Sequence, residues 1–193
     1  MQNPRGSCHL PLLCTFVAVF LMTLSLLSCT ALSQPIFPSE WSALAYQNDG
    51  GSVDSNSAKL AFMRISNSWK VKSERIEVQF FNEPLQIQLH NENTQFVFYP
   101  HNKTCIVNEL GFPPLPPNWL ANSIFEGFDV VNGVHCRKWK RLTSTYWESA
   151  ESGEPIRVNE SNFFVWNYVF GTFKAGPQDS SNFIVPSYCI KKK

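Results

Sequence analysis

Arg75–Leu89 reads RIEVQFFNEPLQIQL, and its alternation decides the fold class. Ile76, Val78 and Phe80 fall on one face of a strand, against Arg75, Glu77 and Gln79 on the other. Past the turn residues Asn82-Glu83-Pro84, Leu85, Ile87 and Leu89 alternate with Gln86 and Gln88 in the same way. A period of two is the period of a half-buried strand, and two such runs joined by a turn form an antiparallel hairpin. Outward from this hairpin the pattern repeats. Trp41–Tyr46, closed by the turn-rich Asn48-Asp49-Gly50-Gly51, and Lys59–Ile65 precede it. Gln95–Tyr99 follows, apolar on both faces as a central strand would be. Val134–Leu142, Thr145–Glu148, Ile156–Val158, Phe163–Phe173 and Phe183–Cys189 complete the set. Strands this short and this closely spaced predict an antiparallel meander rather than βαβ units. The fold class expected is mostly β: a curved antiparallel sheet folded over as a half-barrel or sandwich, with little helix.

Phe112-Pro113-Pro114-Leu115-Pro116-Pro117 interrupts the pattern. Four of its six residues lack a backbone N–H, so the run cannot sit in a central strand. It predicts an extended crossover between two halves of a sheet, running into a helical turn at Asn118–Ser123. A proline-rich ligand for a recognition domain is the sharper reading of the same run, but a crossover needs no partner. Neither half has enough strands to close a core alone, so residues 34–193 read as a single β domain.

The N-terminal 33 residues do not belong to it. Between Gly6 and Ser39 there is no Lys, Arg, Asp or Glu, and Phe16–Leu27 reads FVAVFLMTLSLL. Arg5 supplies a positive start, and Ala31-Leu32-Ser33 places small residues at −3 and −1 of a cut before Gln34. This is the pattern of a cleaved secretory signal peptide spanning residues 1–33. A retained anchor is the rival, since Leu10–Leu32 could almost span a bilayer, and lipidation at Cys29 is a third reading that Leu27 at −2 fits poorly. With cleavage, no integral membrane segment is expected, and the location is extracellular or the endomembrane lumen.

Arg5 is one of 16 Lys+Arg, and the rest balance the 15 Asp+Glu, so the domain itself has no basic excess and a nucleic-acid partner is not expected. Asn102-Lys103-Thr104 and Asn159-Glu160-Ser161 are acceptor sequons, which predict glycosylation at Asn102 and Asn159 on two surface loops. Cys105, Cys136 and Cys189 remain after the leader, enough in an oxidising lumen for one disulfide and one odd thiol.

No catalytic residue is nominated. His90, His101 and His135 lack zinc-ligand spacing, so neither a metal site nor a cofactor is expected. Glu148, Glu151 and Glu154 surround a turn and read as solvated loop charges. Cys136 alternates within a strand and reads as structural. Nucleophile elbows, phosphate loops and dinucleotide fingerprints are absent. The unusual feature is aromatic content: the domain holds all six Trp, all five Tyr and all but two of the 16 Phe. Core packing accounts for many of these, yet a curved sheet lined with Phe and Trp is also how small β proteins hold an apolar ligand.

The second half carries a resemblance. Pro117-Asn118-Trp119-Leu120, Val131-Asn132-Gly133-Val134-His135-Cys136-Arg137-Lys138-Trp139, Tyr146-Trp147-Glu148, Gly153-Glu154-Pro155-Ile156 and Val185-Pro186-Ser187-Tyr188-Cys189 occur in this order. The set resembles secreted plant and protist proteins related to the ependymins. It covers residues 113–189, and Pro38–Tyr46 faintly; no counterpart of that family's aromatic W-x-D-W segment occurs between Lys59 and Ile76. The resemblance implies a sheet similar to bacterial lipoprotein carriers, a hydrophobic cavity for lipid-like ligands, glycosylation, a homodimer and calcium association. Only glycosylation has a counterpart in these residues. Some plant relatives carry a glycosyl-transferase label, which nothing in this chain supports.

The expected function is a secreted, non-catalytic glycoprotein that binds or carries a lipid-like small molecule. An extracellular structural or adhesive glycoprotein with a solid aromatic core is the alternative, and a secreted glycosyl-transfer enzyme comes third. Phe80, Phe96, Phe98, Trp119, Trp139, Trp147 and Trp166 are the expected cavity lining, on the premise that the two halves fold over one another. Cys105–Cys189 is the expected disulfide. Both lie at strand ends, the related proteins join equivalent cysteines, and Cys136 sits mid-strand as a small apolar residue.

Overall fold

The alternating runs pair into one antiparallel sheet, except Phe183–Cys189, expected as a strand, which instead holds short 3-10 turns at Ser180–Phe183 and Ser187–Cys189. The computed structural model describes residues 33–48, 60–160 and 164–190, so all of the expected leader but Ser33 lies outside the described residues. The first half supplies β1 (Glu40–Asn48), β2 (Leu60–Ser68), β3 (Ser73–Phe80), β4 (Gln86–Asn91), β5 (Thr94–Tyr99) and β6 (Thr104–Glu109). The second supplies β7 (Ile124–Val131), β8 (Val134–Arg141), β9 (Ser144–Ser149), β10 (Pro155–Glu160), β11 (Phe164–Tyr168) and the two-residue β12 (Lys174–Ala175). Each half is a meander. They join at β1, which pairs with β2 along its whole length, and on its other side with β12 near its start and β11 near its end.

The spatial order is β6-β5-β4-β3-β2-β1-β11-β10-β9-β8-β7. Its outer strands, β6 and β7, do not meet, so the sheet curls over without closing into a barrel. The proline-rich segment connects β6 to β7 and so runs from one edge of the sheet to the other, as a crossover should. Asn118–Ser123 is not helical. It forms consecutive tight turns, with N–H groups of Trp119, Ala121 and Ser123 donating to the carbonyls three residues earlier at 2.8–3.0 Å. Gln34–Lys193 forms one compact unit. β5, expected to be central, lies next to the edge strand β6.

Register shows why β5 is apolar on two faces. Ile76 and Val78 stand opposite Gln88 and Gln86, while Arg75 and Glu77 stand opposite Leu89 and Ile87. Opposed residues share a face. The apolar side therefore switches faces between β3 and β4, because the register of a hairpin fixes which alternate set points inward. The inner face carries the main core, with Trp41, Met63, Ile65, Ile76, Trp139 and Tyr146 among its buried members. On the outer face Ile87, Leu89 and Phe98 are covered by the C-terminal segment, whose Phe183, Val185 and Cys189 pack on them. The Cys105–Cys189 disulfide fastens that segment. A third cluster, Val131, Cys136, Trp147 and Ile156, lies on the outer face of the second half.

Two hairpins differ in turn chemistry. Between β7 and β8, Asn132 and Gly133 take positive φ (53° and 79°), which suits a two-residue turn between twisted strands. Between β8 and β9 the corresponding first residue is Leu142, with φ 50° and 83% exposure. A leucine in the left-handed region is strained, and here no packing offsets it. Leu142→Asn is expected to raise stability by roughly 0.5–1 kcal/mol in urea unfolding; an unchanged or lower midpoint would show that the turn is unstrained.

Candidate functional site

Where β1 meets β11, the inner face of the sheet is not filled. Alternation on β11 puts Phe164, Trp166 and Tyr168 on this face, and register places Glu160 and Val158 of β10 beside the first two. Across the seam, Trp41 of β1 stands opposite Asn67 of β2, which stands opposite Glu74 of β3. Ala43 and Ala45 follow Trp41 on the same face of β1 and are buried in the inner core. The facing wall is not sheet. It is made by Phe37-Pro38 of the lead-in and by Leu115, Pro116, Pro117 and Trp119 of the crossover. These two segments hold each other: the Phe37 N–H donates to the Pro117 carbonyl at 2.9 Å. The Gln34 amide donates to the Ser123 carbonyl and accepts from the Asn122 N–H, both at 3.0 Å.

The result is a partly open pocket with a cavity volume of about 160 Å³. A cavity of about 150 Å³ lined by apolar groups takes up benzene, so this space suits a compact body. Its rings are mutually packed. Phe37 lies 5.7 Å from Trp41 and 6.0 Å from Trp119, Trp41 lies 6.5 Å from Tyr168, and Phe164 and Trp166 stack at 4.7 Å. The Trp166 indole N–H donates to Gln47 Oε1 at 3.0 Å, which fixes its ring plane.

Polar groups at the pocket are few. Arg141 donates its Nε–H to the Ala121 carbonyl at 3.2 Å. Glu160 accepts from the Thr143 hydroxyl at 2.5 Å and from the Ser144 hydroxyl. Glu74 is half-buried and lines the pocket, and Asn67 Nδ2 donates to its Oε2 at 3.4 Å. Burial pushes its carboxyl from 4.5 up to about 7, against a smaller lowering by Asn67. Burial and the neighbouring Glu74 push the Tyr168 phenol well above its usual range. Tyr146, buried beneath Phe37 and Trp119, is raised in the same direction, chiefly by burial.

Of the residues expected to line a cavity, the structure brings Trp119 and Trp166 to the pocket. Phe80 packs at the margin of the same inner core. Trp139 is sealed in the solid part of that core at 2% exposure, with its indole N–H on Glu148 Oε1 at 3.1 Å. Phe96, Phe98 and Trp147 lie on the opposite face. The first two share a face with Leu89 and Ile87, and Trp147 stands opposite Lys138 rather than Trp139. The premise of one common interior fails at the β3–β4 hairpin, where the apolar set changes sides. Phe37, Trp41, Phe164 and Tyr168 were not anticipated, nor was Glu74. That residue had a legible signal: it extends the Ile76-Val78-Phe80 set by one alternate position, a carboxylate on an apolar face.

Other expectations change with the geometry. Glu148 is not a solvated loop charge: it is 5% exposed and accepts from Arg137 Nε at 2.8 Å as well as from Trp139. Glu151 is exposed, and Glu154 takes the Gly171 N–H at 3.1 Å. Asn102 stands in an exposed turn, where its Oδ1 accepts from the Thr104 N–H and hydroxyl. Asn159 is not in a loop but within β10, paired on both sides and half-buried, and Ser161 of its sequon lies outside the described residues. Cys136 is a buried free thiol whose pKa burial raises. Among the described residues no group of three or more His, Cys, Asp or Glu could hold a metal ion, and no helix is long and apolar enough to cross a membrane.

The sequence profile of the family described as "Domain of unknown function (DUF8395)" matches residues 36–189. No curated protein matches the chain. Among solved structures, an uncharacterized conserved protein from Thermus thermophilus aligns with a TM-score of 0.51 and 12% identity, over 78% of this chain and 87% of its own. Two crystal forms of PNGF-II align with TM-scores of 0.34 and 0.33 at 14% and 12% identity. Each alignment covers 75% of this chain, but only 29% and 30% of PNGF-II. The likeness to the Thermus protein is one of fold.

Proposed function

The chain belongs to the DUF8395 family, and we propose that this member is a non-catalytic binding protein whose inner-face pocket takes up a compact apolar ligand. The observation that supports this most is the pocket's construction. Six aromatic side chains from four separate segments converge on a space that the sheet and the crossover leave unfilled, with Glu74 and Glu160 also in its lining. Core packing alone would draw such rings together until the space closed. Here the stiff Pro116-Pro117 segment in its wall resists that closure. The volume suits a single ring system or the end of a lipid chain, not a whole acyl chain. The same reading includes passage through the secretory route with sugar at Asn102, and kinship with the ependymin-related carriers, which rests on the order of the motifs in residues 113–189.

Titration with the neutral fluorescent probe naphthol tests the pocket. Saturable binding at one site is expected, together with quenching of Trp119 and Trp166. Val158 lines the pocket between Tyr146 and Trp166, so Val158→Phe fills the space and should weaken binding roughly ten-fold or more. Absence of saturable binding, or equal binding by a folded Val158→Phe variant, would overturn the proposal.

A further inference from the structure

We infer that the ligand of this pocket is a compact organic cation, an ammonium group on a small apolar body, with Glu74 as its counter-ion. The inference rests on the binding reading above and names the chemistry of what is bound. Glu74 has no cation of its own. Among the described residues its one hydrogen-bond partner is the neutral Asn67, and the ion pairs there are made by other carboxylates. A desolvated carboxylate without a positive partner is costly, and its elevated pKa is the mark of that cost. Glu74 is therefore poised in the pocket lining between its neutral and charged forms near neutral pH, and a bound cation would favour the charged one.

The walls point the same way. The faces of Trp, Tyr and Phe rings attract cations, and a ring-walled pocket is how quaternary ammonium groups are recognised. Trp41, Tyr168, Phe37, Trp119 and the stacked Phe164–Trp166 pair line the same pocket as Glu74. A lipid anion is the competing chemistry, and Arg141 on the rim is its argument. That guanidinium already donates to the Ala121 carbonyl, and Glu160 lines the same pocket, so the rim has no net positive charge to offer. An anionic ligand would also set its apolar body against Glu74 and leave the carboxyl unpaired.

The charge on Glu74 gives the inference a pH signature. Facing it are Asn67 from β2, Trp41 from β1 and Tyr168 from β11, with Arg141 and Glu160 on the pocket walls. His90 of β4 is its register partner, with Nε2 2.9 Å from the Phe112 carbonyl oxygen. Binding a cation favours ionised Glu74, so affinity should rise as pH increases through about 7 and then level off. An anion would show the reverse. Because histidines ordinarily titrate near neutrality, His90→Gln is the necessary control.

The experiment is calorimetric titration of the purified chain with three probes of one shape: choline, its uncharged isostere neohexyl alcohol, and the tert-butylacetate anion. At about pH 8, choline is expected to bind roughly ten-fold tighter than the alcohol, and to weaken by roughly ten-fold at about pH 5.5. His90→Gln should keep that dependence. Glu74→Gln should abolish it and bring choline down to the level of the alcohol; if that variant does not fold, the pH pair measured on wild type and His90→Gln decides. Equal binding of choline and alcohol, or tightest binding of the anion, overturns the cation assignment and leaves the apolar pocket standing. Failure of all three probes and of naphthol overturns both.

Discussion

Replacing Trp139 by Ala is expected to lower unfolding stability by about 3–5 kcal/mol, a large part of what a domain of this size normally has. The residue is 2% exposed, and its ring lies 5.2 Å from Phe125. On the next strand it stands opposite the equally buried Tyr146. Strands on both sides hold these neighbours in place, so little collapse into the vacated volume is available. The polar part of the loss is smaller. Glu148 surrenders the indole N–H but keeps Arg137 at 2.8 Å, so no buried charge is orphaned. Trp139→Phe separates the two contributions and should cost only ~1–2 kcal/mol. Trp166→Ala is the informative contrast, because one side of that ring already faces the pocket; it should cost less in guanidinium unfolding while altering probe binding. Equal losses at Trp139 and Trp166 would mean that the pocket is as tightly packed as the core.

How far the sequence carried can be read at single residues. Strand existence was legible because Ile76-Val78-Phe80 and Leu85-Ile87-Leu89 alternate without ambiguity, and Pro113–Pro117 could only be a connection. Which way each strand faces was not, since alternation is symmetrical about the sheet. Only the register, Glu77 opposite Ile87 rather than opposite Gln86 or Gln88, puts Phe96 and Phe98 on the outer face, and that register is set by the five residues between β3 and β4. The same symmetry separated Trp147 from Trp139. Trp119 was marked by the motif Pro117-Asn118-Trp119-Leu120 that the resemblance carries, not by any strand pattern. Phe37 and Trp41 were not legible, because distant ring partners bring them to the pocket, Trp119 for Phe37 and Tyr168 and Phe173 for Trp41, all more than eighty residues away, a separation no local pattern encodes. Glu148 was misjudged for a related reason: a carboxylate beside a turn is ordinarily solvated, and only the fold brings Arg137 and Trp139 to it.

Loss of the Cys105–Cys189 disulfide should be the second large effect, about 4.6 kcal/mol by the chain-entropy relation for a sequence separation of 84. The geometry gives it a local character. Cys189 is 6% exposed, and its segment touches the sheet through Phe183 and Val185 over Ile87, Leu89 and Phe98. Side-chain to backbone support there is thin, one example being Arg75 Nη1 to the Asn182 carbonyl at 3.3 Å. A Cys105→Ser, Cys189→Ser double variant should therefore release the tail before the rest of the sheet unfolds. Amide exchange should accelerate in β4, β5 and the C-terminal segment and stay slow in β8 and β9. Uncovering Leu89, which is fully buried in the intact chain, should also create an apolar patch beside the edge strand β6 and promote self-association. Cys136 cannot substitute as a partner, since it is buried in a different cluster on the other half of the sheet. The pocket and the outer-face cluster have no residue in common, so naphthol binding should survive the double substitution wherever the sheet remains folded. Uniform loss of protection across both halves, or loss of binding in step with release of the tail, would mean that the two faces of the sheet are coupled more tightly than their separate cores imply.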